Sequence, residues 1–237
     1  MNAILMASGM GTRMRPLTET TPKPLIKVCD KPMIKTVIDG LIRAGVDNIY
    51  IVAGYLGDQF DDLLDEYDNI HILKNTYFET VNNISSVYVA REVMREDDCF
   101  VCEADLYVMD DDLFKDHPDH SCYYGIYREG FVNDWGFETD DNGIITRVGK
   151  GVTDCYNMVG VSYIRKKEAI RIADEVERLF GKAAGYEDMF WDDAVDSITD
   201  ELKLKVWPIK EGSIAELDTP EELYELEEKL KEGKEIS

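Results

Sequence analysis

Met6-Ala7-Ser8-Gly9-Met10-Gly11-Thr12-Arg13-Met14-Arg15-Pro16-Leu17-Thr18, continued by Thr21-Pro22-Lys23-Pro24-Leu25, decides how the rest of this 237-residue chain is read. It follows a short apolar run, Asn2 to Met6, and precedes Lys31 to Ala44, where Met33, Ile34, Val37, Ile38, Leu41 and Ile42 recur at helical spacing up to Gly45. That is strand, loop, helix. The loop lacks the third glycine of a dinucleotide-binding turn and the Gly-Lys-Ser/Thr ending of a P-loop. Its glycines nonetheless let backbone N–H groups approach phosphate oxygens, and Arg13 and Lys23 are placed to neutralise a triphosphate.

The same alternation continues. Asn48 to Ala53 reads as a second strand, Leu56 to Tyr67 as an amphipathic helix, Ile70 to Lys74 as a third strand, Ile84 to Met94 as a helix and Asp98 to Glu103 as a fourth strand. Strands alternating with helices predict an α/β fold with a doubly wound, mostly parallel, Rossmann-like sheet, whose ligands gather at the carboxyl ends of the strands. The first loop and Asp105 both fall there. From Ser121 the pattern becomes short β-like stretches (Cys122 to Tyr127, Gly136 to Glu138, Ile144 to Val148, Val159 to Ile164) joined by the turn Asp141-Asn142-Gly143. Helices over Glu168 to Leu179 and Asp188 to Ile198, a strand over Lys203 to Pro208 and a charged helix from Pro220 complete the chain. The expectation is one domain over 1–237, with an α/β core over 1–120 and a smaller α+β part over 121–237.

Composition narrows the function. A net charge of −23 repels nucleic acid and anionic membrane surfaces, so neither is an expected partner. Residues 1–43 go against this trend: Arg13, Arg15, Lys23, Lys27, Lys31, Lys35 and Arg43 face only Glu19, Asp30 and Asp39. A basic segment in so acidic a protein points to a local anion site. No apolar run is long enough to span a bilayer, and Met1 to Met6 lacks a basic leader, so the expectation is a cytoplasmic protein without membrane insertion. The five cysteines lack framework spacing and read as reduced thiols; Cys99 and Cys102 lie in a strand-like run with no second ligand pair for zinc.

Gly9 to Arg13 with Pro16-Leu17-Thr18 and Pro22-Lys23 resemble the signature of the nucleotidyltransferase family that includes the sugar-1-phosphate pyrophosphorylases. The resemblance implies that Arg13 and Lys23 are catalytic and that Ser8, Gly9, Gly11 and Thr12 hold the nucleotide. It also implies Mg²⁺ held by one acid after the central strand and a second late in the chain. Asp105 in Cys102-Glu103-Ala104-Asp105 and Asp218 in Glu216-Leu217-Asp218-Thr219 stand at those places, and carboxylate oxygens suit that hard ion.

Further segments resemble, in order, the bacterial CTP:phosphocholine cytidylyltransferases: Gly54-Tyr55-Leu56, Asn82-Asn83 with Ser85-Ser86, Asn133-Asp134-Trp135, Gly160-Val161-Ser162, Phe190-Trp191-Asp192 and Glu216-Leu217-Asp218. This implies that Tyr55, Asn83, Ser85 and Ser86 face the nucleotide and that Trp135, Trp191, Asp192 and Glu216 hold choline, because a quaternary ammonium takes aromatic faces and a nearby carboxylate. Phe190 stands where that family leads one to expect tyrosine, and Pro24 where it leads one to expect a small residue. Lys150 is assigned to the acceptor phosphate from a stretch, Arg147 to Tyr156, that matches poorly; a solvated surface lysine is an equal reading.

The implied reaction makes CDP-choline and pyrophosphate from CTP and phosphocholine, by attack of the acceptor phosphate on the α-phosphorus. No general base is needed, because a phosphate monoester with its second pKa near ~6 is already largely dianionic at neutral pH. His71, His117 and His120 accordingly lie outside every motif. Alternative acceptors are 2-aminoethylphosphonate, phosphoethanolamine or a sugar 1-phosphate. The alternative of another class is a non-catalytic nucleotide-binding regulatory domain, which would be expected to lack one of the basic or acidic residues named above.

Overall fold

The computed structural model describes residues 1–233. In chain order the first part holds β1 (Asn2–Ala7), a small hairpin of β2 (Lys27–Val28) and β3 (Lys31–Pro32), α1 (Met33–Arg43), β4 (Asn48–Ala53), β5 (Ile70–Lys74), α2 (Ile84–Glu96), β6 (Cys99–Glu103) and β7 (Leu106–Val108). The second adds β8 (Cys122–Thr139), β9 (Ile145–Ile164), α3 (Lys166–Leu179), α4 (Trp191–Asp196), β10 (Lys205–Pro208), β11 (Ile214–Glu216) and α5 (Pro220–Lys231).

One sheet of seven strands, ordered β10-β8-β9-β6-β1-β4-β5, takes strands from both parts. All run in one direction except β9, which is antiparallel to β6 and β8. β1 is an interior strand between β6 and β4, and its side chains are buried on both faces, which is why its apolar residues run on without alternating. Helix α1 packs Ile34, Val37, Ile38 and Leu41 on one face of the sheet, while α2, α3 and α4 cover the other. This is the doubly wound, mostly parallel sheet that the alternation of elements led us to expect. Among the described residues no helix is long and apolar enough to cross a membrane.

Three regions differ from the sequence reading. The segment after β4 forms 3₁₀ turns over Gly57–Asp65 rather than an α-helix. Its two buried anchors, Phe60 and Leu63, are three residues apart and match a three-residue turn, while Leu64 is left exposed. The separate short stretches expected after Ser121 are instead two long strands, β8 of 18 residues and β9 of 20. Their pairing slips repeatedly, so that Gly136 faces both Gly149 and Asn157. Such bulges interrupt the two-residue alternation from which a strand is read. Helix α4 is also shorter than expected. It begins where the Asp193 carboxylate accepts the Phe190 N–H at 2.7 Å, capping the first turn.

Candidate active site

The carboxyl ends of β1 and β6, the first loop, the start of α2 and the β8/β9 hairpin enclose a cavity of about 510 Å³. Of the residues assigned from sequence, Ser8, Gly9, Gly11, Thr12, Arg13, Lys23, Asn83, Ser85, Ser86, Asp105, Trp135, Lys150, Glu216 and Asp218 line it. The first loop is held by local geometry. Gly11 takes φ +58°, and a Cβ there would sit 2.9 Å from Thr18 Cγ2 and 3.0 Å from Lys23 Cβ. The Thr18 hydroxyl donates to the Gly11 carbonyl at 2.8 Å and closes the turn.

Lys23 is the electrostatic centre. It is 7% exposed, and its Nζ donates to Asp105 Oδ2 at 2.6 Å and Asp218 Oδ1 at 2.7 Å. Burial of the ammonium opposes its charge, but the pull of Asp105 and the hydrogen bonds to both acids outweigh it, holding the Lys23 pKa above its usual value. The Arg13 guanidinium, 70% exposed, reaches Asp218 Oδ1 at 2.8 Å. Asp218 is itself set by the start of α5: Glu222 accepts the N–H groups of Asp218 at 2.7 Å and Thr219 at 2.9 Å, and the Thr219 hydroxyl accepts the Glu222 N–H. The capping signal in Thr219-Pro220-Glu221-Glu222 therefore also positions a site carboxylate.

Asp105, Glu216 and Asp218 offer oxygens all within 4.8 Å of one another. Glu216 opens onto the cavity but is walled in by protein on its other sides. Loss of water there, followed by repulsion from Asp105 and Asp218, raises its pKa against the opposing pull of Lys23. Since its surface is accessible, the like charges are the firmer cause. Glu103, which the sequence reading left without a role, also lines the cavity. Burial and the neighbouring Asp105, Glu216 and Asp192 raise its pKa well above the carboxylate range.

Three assigned residues are placed elsewhere. Tyr55 does not line the cavity; its hydroxyl donates to the Thr18 carbonyl at 2.9 Å and its N–H to the Ser8 carbonyl, so it braces the first loop from behind. Trp191 is 3% exposed and packs on Tyr123 with ring centroids 5.7 Å apart, inside the core under α4. Asp192 is buried beside it and accepts the Tyr123 hydroxyl at 3.0 Å. The cage expected of Trp135, Trp191, Asp192 and Glu216 is thus divided, because the first turn of α4 points its apolar side into the core.

The structure adds residues in their stead. Phe190, one position before Trp191, meets Trp135 edge to face at 5.3 Å, and Asp134 joins the same wall. Asn75, 1% exposed, donates to the hydroxyls of Ser8 at 3.1 Å and Ser85 at 2.9 Å, and Ser86 donates to Ser8 at 3.2 Å. The one available signal for Asn75 was a polar residue at the carboxyl end of β5, where such sheets gather ligands.

The nucleotidyl transferase family model matches residues 2–126, which contain the first loop, Lys23 and Asp105. The 2-aminoethylphosphonate cytidylyltransferase of Lancefieldella rimae is 47% identical over 94% of this chain and 90% of its own length. The chain belongs to the nucleotidyl transferase family. This nucleotidyltransferase is also 31% identical, over 98% of its length and 99% of the relative's, to the choline-phosphate cytidylyltransferase of Streptococcus pneumoniae. The solved structure of the CTP:phosphocholine cytidylyltransferase from Streptococcus pneumoniae superposes with a TM-score of 0.87, covering 97% of this chain and 98% of that one. The likeness read from the segments between Gly54 and Asp218 therefore extends over nearly the whole fold.

Proposed function

We propose that this nucleotidyltransferase is a cytidylyltransferase that couples CTP to 2-aminoethylphosphonate, releasing pyrophosphate. One observation carries the choice of acceptor: Trp191 and Asp192 lie outside the cavity, so its acceptor end offers a single aromatic corner together with the carboxylates of Asp134 and Glu216. A primary ammonium has three N–H donors to satisfy and suits such a wall. The 47% likeness to an enzyme of that name supports the same reading.

The proposed step is in-line attack of a phosphonate oxygen on the α-phosphorus, with cleavage of the bond to the β-phosphate and departure of pyrophosphate. The acceptor brings its own anionic oxygen, and no histidine lines the cavity to act as base. The chain's part is positioning and charge stabilisation. Backbone N–H groups around Gly9 and Gly11 receive phosphate oxygens, and Arg13 and Lys23 counter the charge that develops. The cluster of Ser8, Asn75, Ser85 and Ser86 supplies polar groups beside the nucleotide end, suited to the edge of a pyrimidine.

The donor set fits a hard divalent cation. Asp105, Glu216 and Asp218 converge with oxygen atoms only, and the Lys23 ammonium already stands between two of them as a positive charge. Asp105 and Asp218 would hold Mg²⁺, which when bound neutralises phosphate charge and aligns the two reacting groups.

A second reading, phosphocholine as acceptor, is favoured by the Trp135–Phe190 corner. Pyrophosphate release from CTP with Mg²⁺, measured for 2-aminoethylphosphonate, phosphocholine, phosphoethanolamine and glucose 1-phosphate, separates the two. The expected result is a kcat/KM for 2-aminoethylphosphonate at least about ten-fold above that for phosphocholine, equivalent to ~1.4 kcal/mol. The reverse order would overturn this choice of acceptor.

A further inference from the structure

A cation of the protein's own stands where the quaternary ammonium of an acceptor would go. The Trp135 and Phe190 rings meet with centroids 5.3 Å apart and planes at 63°. Lys150 Nζ lies 5.7 Å from the centroid of the Trp135 ring and 5.6 Å from that of Phe190. Both distances are within the ~6 Å over which an aromatic face attracts a cation. Backbone register produces this placement: Trp135 and Lys150 are directly opposed across β8 and β9, and opposed residues on neighbouring strands have side chains in reach of one another. The cavity wall is rich in carboxylates, yet the Lys150 ammonium makes no hydrogen bond or ion pair with any described residue. Its ammonium is held by the two rings.

We propose that Lys150 is the specificity-determining residue of the acceptor pocket: its ammonium fills the Trp135–Phe190 corner, excluding a trimethylammonium group and leaving a primary ammonium to be received by Asp134 and Glu216. The proposal rests on the acceptor reading given above and deepens it. Two cations sharing one aromatic corner stand a few ångströms apart, and in a partly enclosed site their repulsion outweighs the attraction of either for the rings. A trimethylammonium group has no N–H donor with which to exploit the carboxylates instead. A primary ammonium hydrogen-bonds to them and needs no aromatic face.

The test compares the wild-type enzyme with Lys150→Met, which keeps much of the stem and removes the charge, and with Lys150→Arg, which keeps the charge over the rings. Two quantities are read: kcat/KM for 2-aminoethylphosphonate and for phosphocholine, and quenching of tryptophan fluorescence by choline chloride alone. The second does not depend on turnover. Lys150→Met is expected to raise the ratio of phosphocholine to 2-aminoethylphosphonate use about ten-fold and to bind choline, with Lys150→Arg staying near wild type. Equal loss of both acceptors in Lys150→Met would overturn the proposal, because the lysine would then serve the phosphorus group that both acceptors share. A wild-type enzyme that prefers phosphocholine would sink the acceptor reading itself, whereas wild-type preference for 2-aminoethylphosphonate with an unchanged ratio in Lys150→Met would sink this proposal alone.

Discussion

Replacing Lys23 by methionine keeps most of the side-chain volume and removes the charge that joins Asp105 to Asp218. Its Nζ lies 2.6 and 2.7 Å from those two carboxylates, and the remaining cation at hand is Arg13, in contact with Asp218 alone. Two consequences follow from that geometry. For catalysis, loss of one preorganised charge contact to the reacting phosphates costs about 3 to 4 kcal/mol, or roughly 10² to 10³ in kcat. For stability, breaking a buried ion pair costs ~3 to 5 kcal/mol. The two acids are 24% and 23% exposed, so solvent screening reduces this to about 1 to 2 kcal/mol. The variant should therefore fold, unfold at modestly lower urea and turn over slowly. Mg²⁺ added without nucleotide should raise its unfolding midpoint more than that of the wild type, because the freed carboxylates no longer hold an ammonium. Pyrophosphate release at saturating substrates and urea unfolding with and without Mg²⁺ measure both effects. Turnover within about three-fold of the wild type would refute the role given to Lys23.

Two further perturbations have signs that the structure sets. Burial, against the opposing hydrogen bond from Tyr123, pushes the Asp192 pKa up to about 7. The folded protein therefore keeps a proton that the unfolded chain has already released, and stability is lost as pH rises from about 4 to 7, by on the order of 4 kcal/mol in all. Asp192→Asn cannot ionise, so its stability relative to wild type should improve between pH 5 and 8 in urea titrations; a constant difference would contradict the burial argument. Gly11→Ala places a methyl group 2.9 Å from Thr18 Cγ2 at φ +58°. It should raise KM for CTP and cost about 1 to 2 kcal/mol of stability, whereas wild-type KM would show that the turn does not shape the nucleotide site.

What could be read in the sequence was what is local or periodic. β1, α1, β4 and β5 declared themselves by spacing, and the doubly wound sheet followed from their alternation. The cation-rich first loop was legible because its glycine turn and both of its cations lie within one short stretch. Asp105 and Asp218, 82 and 195 residues from Lys23, were reached by family likeness; no local pattern joins them. Asn75 escaped notice because its role depends on β5 lying at the edge of the parallel sheet, where it turns its amide toward Ser8 on β1's loop.

The acceptor end was hardest to read, and for a physical reason. Whether an aromatic side chain at the start of a helix faces ligand or core depends on where that helix begins. Asp193 caps Phe190, so α4 begins at Trp191, which goes into the core while Phe190 goes to the cavity. On the opposite wall the same dependence recurs across strands. The slips of β8 and β9 cancel between Cys122 and Trp135, so that Trp135 faces Lys150 in the same register in which Cys122 faces Tyr163, and one uncompensated slip would bring a different residue of β9 over the indole. A pocket built in this way can change the cation it accepts by small changes of register and capping, while the first loop, Lys23 and the two acids stay as they are. Relatives that share this fold and the nucleotide half of the site are therefore expected to differ chiefly in the residues at Trp135, Lys150 and Phe190. Exchanging those positions, with the catalytic half untouched, should alter the ratio of acceptors used and leave the KM for CTP near its starting value.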